Sequence, residues 1–303
     1  MTTWPNPSPA RDRRNGVPGH AEPWKVGPVV VSPLRQSGAK ETPKVWLNDV
    51  SLHYPSASGK RLLALDQIEL KVQPGEFLCI VGPSGCGKST LLHIITGLQR
   101  PSSGSVLVDD KLVDGPAANR ILIFQELGLF PWLTVAQNVE FGLKIAGLRS
   151  RERRERAAHY IRMVHLSQFH DSYIHQLSGG MRQRVALARA LATEPDVLLM
   201  DEPFAALDAQ TRDLLHDELE RIWAETGRTI IFVTHNVREA ARLGDRVALF
   251  TFRPGRIKQE FRIDLPRPRQ IEDLAVAQMA GEILEELRSE INKSLEQEFK
   301  AQP

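Results

Sequence analysis

Gly82, Ser84, Gly85, Gly87, Lys88, Ser89 and Thr90 stand in one short stretch, Gly-Pro-Ser-Gly-Cys-Gly-Lys-Ser-Thr. The spacing fits G-x-x-x-x-G-K-[ST], a loop whose backbone N–H groups close around phosphate oxygens. Glycines remove the Cβ atoms that would block that approach. Lys88 brings a full charge to the β- and γ-phosphates, an attraction of order 4 kcal/mol at ~4 Å for an effective dielectric of about 20. Ser89 is the expected hydroxyl ligand of Mg2+. A second group is the acidic pair Asp201-Glu202. Asp201 is expected to hold Mg2+ through water, and Glu202 to polarise an attacking water. A third is Leu177-Ser178-Gly179-Gly180, where two glycines at a helix start expose N–H groups as a further anion site. One chain rarely needs two γ-phosphate sites. The economical explanation is that the third group serves a nucleotide held by another subunit.

These groups require a scaffold, and the surrounding pattern supplies one. Phe77-Leu78-Cys79-Ile80-Val81 and Val197-Leu198-Leu199-Met200 are apolar runs of strand length, as expected for buried parallel strands, and Ile121-Leu122-Ile123-Phe124, Thr229 to Thr234 and Arg246 to Phe250 read as further strands. Gln125, Asp201 and His235 each close such a run, at the sheet edge where α/β folds place their ligands. On these grounds alone Gln125 reads equally as a loop glutamine and His235 as a structural histidine. After Lys88, apolar residues at helical spacing run to Gly97, a natural stop. Ahead of the P-loop, Val45-Trp46-Leu47 and the alternating Leu62 to Val72 read as an antiparallel β region, with Tyr54 at the end of its first strand. Ser105 to Val108 is a further strand after a turn at 101–105. Residues from about 128 to 178 read as an inserted helical subdomain, with the charge run Arg149 to Arg156 a solvated helix face. From about Gln270 the pattern is helical, and Leu284, Leu287, Ile291, Leu295 and Phe299 form an apolar stripe that packs on the body or on a partner helix.

The 303 residues suffice for a large core. A net charge of only +2 gives no nucleic-acid footprint. No run approaches the roughly 20 apolar residues of a membrane span, and no apolar leader segment is visible. Eight of the 20 prolines precede Val45, so residues 1–42 read as a Pro-rich extension outside the fold. Cys79 and Cys86 flank and enter the P-loop, where a disulfide would distort it. Both are expected as reduced thiols, as in the cytosol.

Taken together, the P-loop, the strand-end Gln125, Leu-Ser-Gly-Gly, Val-Leu-Leu-Met-Asp-Glu-Pro, Ala206-Leu207-Asp208 and Thr234-His235 resemble the ABC transporter ATPase family over roughly residues 45 to 267. The resemblance implies an α/β P-loop fold with a mixed sheet, an antiparallel β subdomain and an inserted helical subdomain, spanning 43–267 with a helical tail at 268–303. It implies ATP and Mg2+ as ligands and ATP hydrolysis as the reaction. It casts Tyr54 as the adenine-stacking aromatic and the Gly82–Thr90 residues as the Walker A set, with Lys88 also acting in catalysis. Gln125 becomes a Mg2+ ligand that senses the membrane subunit. Ser178, Gly179 and Gly180 contact the other subunit's ATP, as does Asp208 in its loop. Glu202 is the base and His235 the switch histidine. Met181 stands where much of the superfamily has Gln, which leaves the Ser-Gly-Gly contacts untouched.

Within the family, Leu129-Phe130-Pro131-Trp132-Leu133-Thr134-Val135 with Asn138-Val139, and Arg253-Pro254-Gly255-Arg256-Ile257, look most like bacterial importers of nitrate, aliphatic sulfonates or taurine. That implies a homodimer with two ATPs at its interface, on the cytoplasmic face of the cell membrane. Separate permease subunits and a periplasmic or lipid-anchored substrate-binding protein would complete the system. An importer subunit for another small solute, or a soluble ABC ATPase, are the alternative readings.

Overall fold

The computed structural model describes residues 42–55 and 61–301. The Pro-rich extension before Thr42 and the Ser56–Gly59 link lie outside the described residues.

The strands expected to be apolar throughout are so because both faces are covered. In order come β1 (Val45–Pro55), β2 (Arg61–Val72), β3 (Phe77–Val81), α1 (Lys88–Thr96), β4 (Ser103–Val108), β5 (Lys111–Leu112), β6 (Arg120–Ile123), α2 (Val135–Ile145) and α3 (Ser150–Met163). Two single 3-10 turns, Ser167–Phe169 and Ile174–Gln176, precede α4 (Gly179–Ala192). Then follow β7 (Val197–Asp201), α5 (Ala209–Thr226), β8 (Thr229–Val233), α6 (Val237–Leu243), β9 (Arg246–Phe250), β10 (Ile257–Arg262) and α7 (Leu274–Ala301). The larger sheet has the order β10-β9-β3-β8-β7-β6, parallel except for β10. Along β3, Phe77, Cys79 and Val81 join the core beneath α4, α5 and α6. Leu78 and Ile80 point the other way, into a core shared with α1 and the smaller sheet. β7, β8 and β9 alternate in the same manner, as a strand with a two-residue side-chain period must when neither face meets water.

The smaller sheet, β2-β1-β4-β5, is antiparallel and closes over α1. β4 begins at Ser103, inside the expected turn. β10 was not legible as a strand, because half its residues are exposed and polar at the sheet edge. The helical segment between β6 and α4 is anchored by Asn138, which is fully buried. Its amide bonds both backbone groups of Phe130 (2.9 and 3.1 Å) and the carbonyls of Leu133 and Thr134. Thr134 opens α2 with a capping box closed by Gln137. The charge run on α3 is mostly solvated, yet Arg153 pairs with Glu140 at 2.7 Å and Arg156 with Glu194 at 3.2 Å.

The C-terminal stripe requires a correction. The inward face of α7 is Val276, Ala280, Ile283, Leu287 and Glu290, packed on α6. Leu284 lies on its flank and Ile291 is exposed, while the side chains of Leu295 and Phe299 fall outside the described residues. A buried glutamate inside the stripe hid the true register. The segment before α7 is clasped to α6 by Arg269, whose guanidinium donates to the carbonyls of Ala241, Arg242 and Gly244. Burial first, and then Arg267 beside it, push this guanidinium down to about 10.

Candidate functional site

The parallel strands deliver four groups to one edge. β3 runs into the P-loop, β8 into Thr234-His235, β7 into Asp201-Glu202, and β6 into Phe124-Gln125. With neighbouring strands about 4.8 Å apart, the row spans roughly 14 Å. β6 ends at Ile123, so Gln125 stands two residues past its strand, exposed.

The P-loop curls because of its glycines. Gly85 and Gly87 adopt φ of 70° and 105°, which side chains with a Cβ rarely tolerate. A Cβ on Gly82 would lie 2.9 Å from Phe250 Cβ. Lys88 is buried, and its Nζ donates to the carbonyls of Gly82 (2.9 Å) and Pro83 (3.0 Å), so its charge stands inside the curl. Ser84, Gly85 and Ser89 remain exposed on the open side. The start of α1 points into the loop, and Gly97 in the left-handed conformation ends the helix as expected. Tyr54 reaches across from β1, its hydroxyl 3.3 Å from Thr90 Oγ1. Both cysteines are free and buried, and burial pushes the Cys86 thiol up.

Asp201 is buried at the end of β7, and its carboxyl is raised above the usual range. Burial is the main cause, with Glu202 adding to it, while a hydrogen bond from Ser89 and the charges of His93 and Lys88 pull the other way. Glu202 has φ of 44°, a left-handed conformation uncommon for glutamate. Its N–H donates to Val233 O at 3.0 Å. Its Oε2 lies 2.9 Å from His235 Nδ1. A carboxylate only accepts, so Nδ1 carries the proton in this contact. A niche of about 20 Å3 borders Glu202, His235 and Asn236, the room of one water.

Sequence reasoning missed what steadies His235. Thr234 Oγ1 donates to Glu239 Oε2 at 2.5 Å and accepts from Asn236 N at 3.0 Å. Burial raises the Glu239 carboxyl, but His216 and Thr234 outweigh it and hold it below its ordinary value. His216, fully buried on α5, lies 3.5 Å from Glu239. The available signal was an acidic residue in the first turn of a helix following a strand end.

Ser178 caps α4, its Oγ accepting from Met181 N at 3.3 Å. Gly180 is buried against α5, where a Cβ would come within 2.5 Å of Thr211 Cγ2. Its smallness therefore serves packing as well as N–H exposure. Asp208 caps α5 and accepts from Thr211 N at 3.0 Å, a bond that lowers its carboxyl pKa. Among the described residues no hydrogen bond joins the Ser178–Gly180 turn to the P-loop.

The arrangement suits a magnesium nucleotide. The glycine curl is a cradle that Cβ atoms would fill. The Ser89 hydroxyl paired with the Asp201 carboxylate is the hard oxygen set that Mg2+ takes.

This edge, with strand ends, P-loop and acidic pair in one row, defines a P-loop ATPase of the ABC class, and comparison with known proteins agrees. Residues 65–205 match the ABC transporter family model. The nitrate import ATP-binding protein of Synechocystis is 50% identical over 210 residues, 69% of this chain and 79% of that protein. The taurine import ATP-binding protein of Roseobacter denitrificans is 43% identical over 217 residues, 72% and 81% of the two chains. A solved ATP-binding cassette, dimeric and bound to ADP and Pi, superposes with a TM-score of 0.65 at 34% identity, covering 73% of this chain and 99% of that one. The chain belongs to the ABC transporter ATP-binding family, whose members bind ATP and hydrolyse it to power transport.

Proposed function

We propose that this chain is the ATP-hydrolysing subunit of a bacterial importer for nitrate, an aliphatic sulfonate or taurine. The identity to nitrate and taurine import proteins carries this reading. Lys88 and the N–H groups of Gly82 to Thr90 bind the phosphates, and Tyr54 stacks on adenine. Ser89, Gln125 and Asp201 hold Mg2+, which neutralises charge on the transferred phosphate when bound. Glu202 takes the proton of the attacking water, and His235, through its 2.9 Å contact, keeps Glu202 aimed. Ser178, Gly179, Gly180 and Asp208 complete the site of a second copy, so that two ATPs lie between two chains. The domain limits we assign are 43–267 for the ATPase, with its helical subdomain at about 128–178, and 268–303 for the tail.

Among the described residues no helix is long and apolar enough to cross a membrane. We therefore assign the transmembrane path to separate permease subunits, with this chain peripheral on the cytoplasmic face and a substrate-binding protein delivering solute. A cleft of about 300 Å3 beside β6, lined by Ile121, Ile123, Phe130, Phe141, Arg189 and Thr193, is the surface we assign to the permease. Its mixture of aromatic wall and one guanidinium suits an amphipathic segment.

The test is affinity purification of the tagged chain from detergent-solubilised membranes of its own host, followed by uptake assays on the complex. Co-purification of a multi-span permease, with ATP-dependent uptake of one of these solutes, is the expected result. A soluble ATPase with no membrane partner would overturn the transport reading.

A further inference from the structure

The stretch between β9 and β10, Thr251–Arg256, lies directly behind the P-loop. Gly255 N donates to Ala64 O at 2.9 Å, and Gly255 O accepts from Asp66 N at 3.0 Å. A Cβ on Gly255 would fall 2.1 Å from Cys86 O. Arg256 Nε ties the stretch to Asp66 at 2.8 Å. One residue earlier in the P-loop, Gly85 O accepts from Arg253 Nε at 2.7 Å. Two consecutive carbonyls of the loop, those of Gly85 and Cys86, thus rest against this stretch.

The other side of the stretch is held by α7. Glu290 is 1% exposed, and its Oε2 accepts from the Phe252 N–H at 3.0 Å. Its Oε1 meets Lys293 Nζ at 2.7 Å and Lys258 Nζ at 3.5 Å. Lys258 is itself tied to α7 through Glu286 (2.8 Å) and Ser289 Oγ (2.6 Å). Burying a carboxylate is costly without partners, and burial does work against the Glu290 charge. Lys293 and the Phe252 N–H outweigh it and hold the carboxyl below its ordinary value. The charge is retained at a place where its one backbone contact is the residue before Arg253.

We propose that α7 braces the P-loop: Glu290 fixes Phe252, and Arg253 thereby holds the Gly85 carbonyl, so that the C-terminal helix sets the affinity for ATP. Phosphate binding needs N–H groups converging on one point, and a carbonyl free to swing toward that point opposes it. A loop already held in shape leaves less ordering to be done on binding. Arg253 and Glu290 are positioning residues, and the inference rests on the P-loop being the ATP site.

The test uses the full chain and equilibrium binding of a fluorescent ATP analogue with Mg2+. Arg253→Ala is expected to weaken binding about tenfold, in line with a charged hydrogen bond. Arg253→Lys, which keeps one donor, should recover most of that loss. Glu290→Gln should weaken binding about threefold, and the double variant should be no worse than Arg253→Ala alone, since both act through one contact. In the assembled transporter KM for ATP should rise while kcat changes less than twofold. Wild-type affinity in Arg253→Ala or in Glu290→Gln would overturn the brace, as would a double variant whose loss is the product of the two. Lys88→Ala is the control. If that variant binds ATP as the wild type does, the site assignment fails and the brace falls with it.

Discussion

At the start of α1 the backbone is curled by two left-handed glycines, closed around a buried lysine and backed by a second loop. At the start of α4 the backbone is an ordinary helix entry without left-handed glycines, capped by its own serine, and the cation beside it, Arg182, is only half-buried. Arg182 donates to Leu177 O at 2.8 Å, on the turn itself. Both starts offer N–H groups to an anion. The first adds left-handed glycines and a buried ammonium enclosed by the loop, whereas the second has a half-buried guanidinium and no left-handed glycine. Its Gly180 is needed for closeness to α5, whereas Gly179 is not. That difference is what the proposed role of the turn, completing the site of a second copy of the chain, requires.

The largest expected effect lies outside both turns and defines what they serve. Glu202→Gln should lower ATP turnover by about 10²–10⁴-fold while ATP binding persists, read by phosphate release and nucleotide binding. Unchanged turnover would remove Glu202 from the role of base. The two turns are then separated directly. Lys88→Ala should weaken ATP binding on the order of a hundredfold or more. Ser178→Arg should leave binding to the isolated chain within about twofold and suppress turnover in the assembled transporter. Equal loss of binding in the two variants would show that both turns serve one site within one chain.

The packing half of the comparison is sharpened by two glycines side by side. Gly180→Ala should cost about 1–2 kcal/mol net, overpacking against Thr211 outweighing the helix-propensity gain. Thermal unfolding would show this, and Thr211→Ser, which removes the offending methyl, should relieve it. Gly179→Ala meets only Leu207 Cδ2 at 3.4 Å, an ordinary contact, and should be close to neutral. A Gly179→Ala loss as large as that of Gly180→Ala would mean the packing contrast is wrong.

The smallest effect is in pH dependence. Asp201 is held above the usual carboxylate range, chiefly by burial, so the folded chain binds its proton more tightly than the unfolded chain does. Its charge therefore opposes folding at neutral pH, and that opposition fades as pH falls through the raised value. Asp201→Asn should unfold at a higher temperature than wild type at neutral pH, with the gap closing in acid, although Mg2+-dependent turnover is lost. A gap that widens on acidification would reverse the sign assigned to Asp201.

Much of the site was readable in the chain because its chemistry is local. The P-loop residues adjoin one another, and Asp201-Glu202 and His235 terminate runs whose length and apolarity mark buried strands. β10 escaped because a half-exposed edge strand carries polar residues that mask its period. The stripe of α7 was read correctly at Leu287 but displaced at Leu284 and Ile291, because Glu290, a charged residue, occupies an inward position. The link from Thr234 to Glu239 and His216 escaped because it crosses from β8 to α6 and α5, and no spacing in the chain announces it.

By itself the sequence determined the family, with the ATP hydrolysis that goes with it, and the strands whose ends form the candidate site. Those follow from residue types at short separations, where backbone geometry leaves few alternatives. Only the tertiary structure decided that Gly180 is a packing residue, that Glu202 and His235 meet at 2.9 Å, and that a helix beginning at Leu274 reaches Phe252, in the stretch behind the P-loop. Each of these depends on which faces of distant segments come together. Packing of whole elements sets that, through many weak contacts spread over the chain.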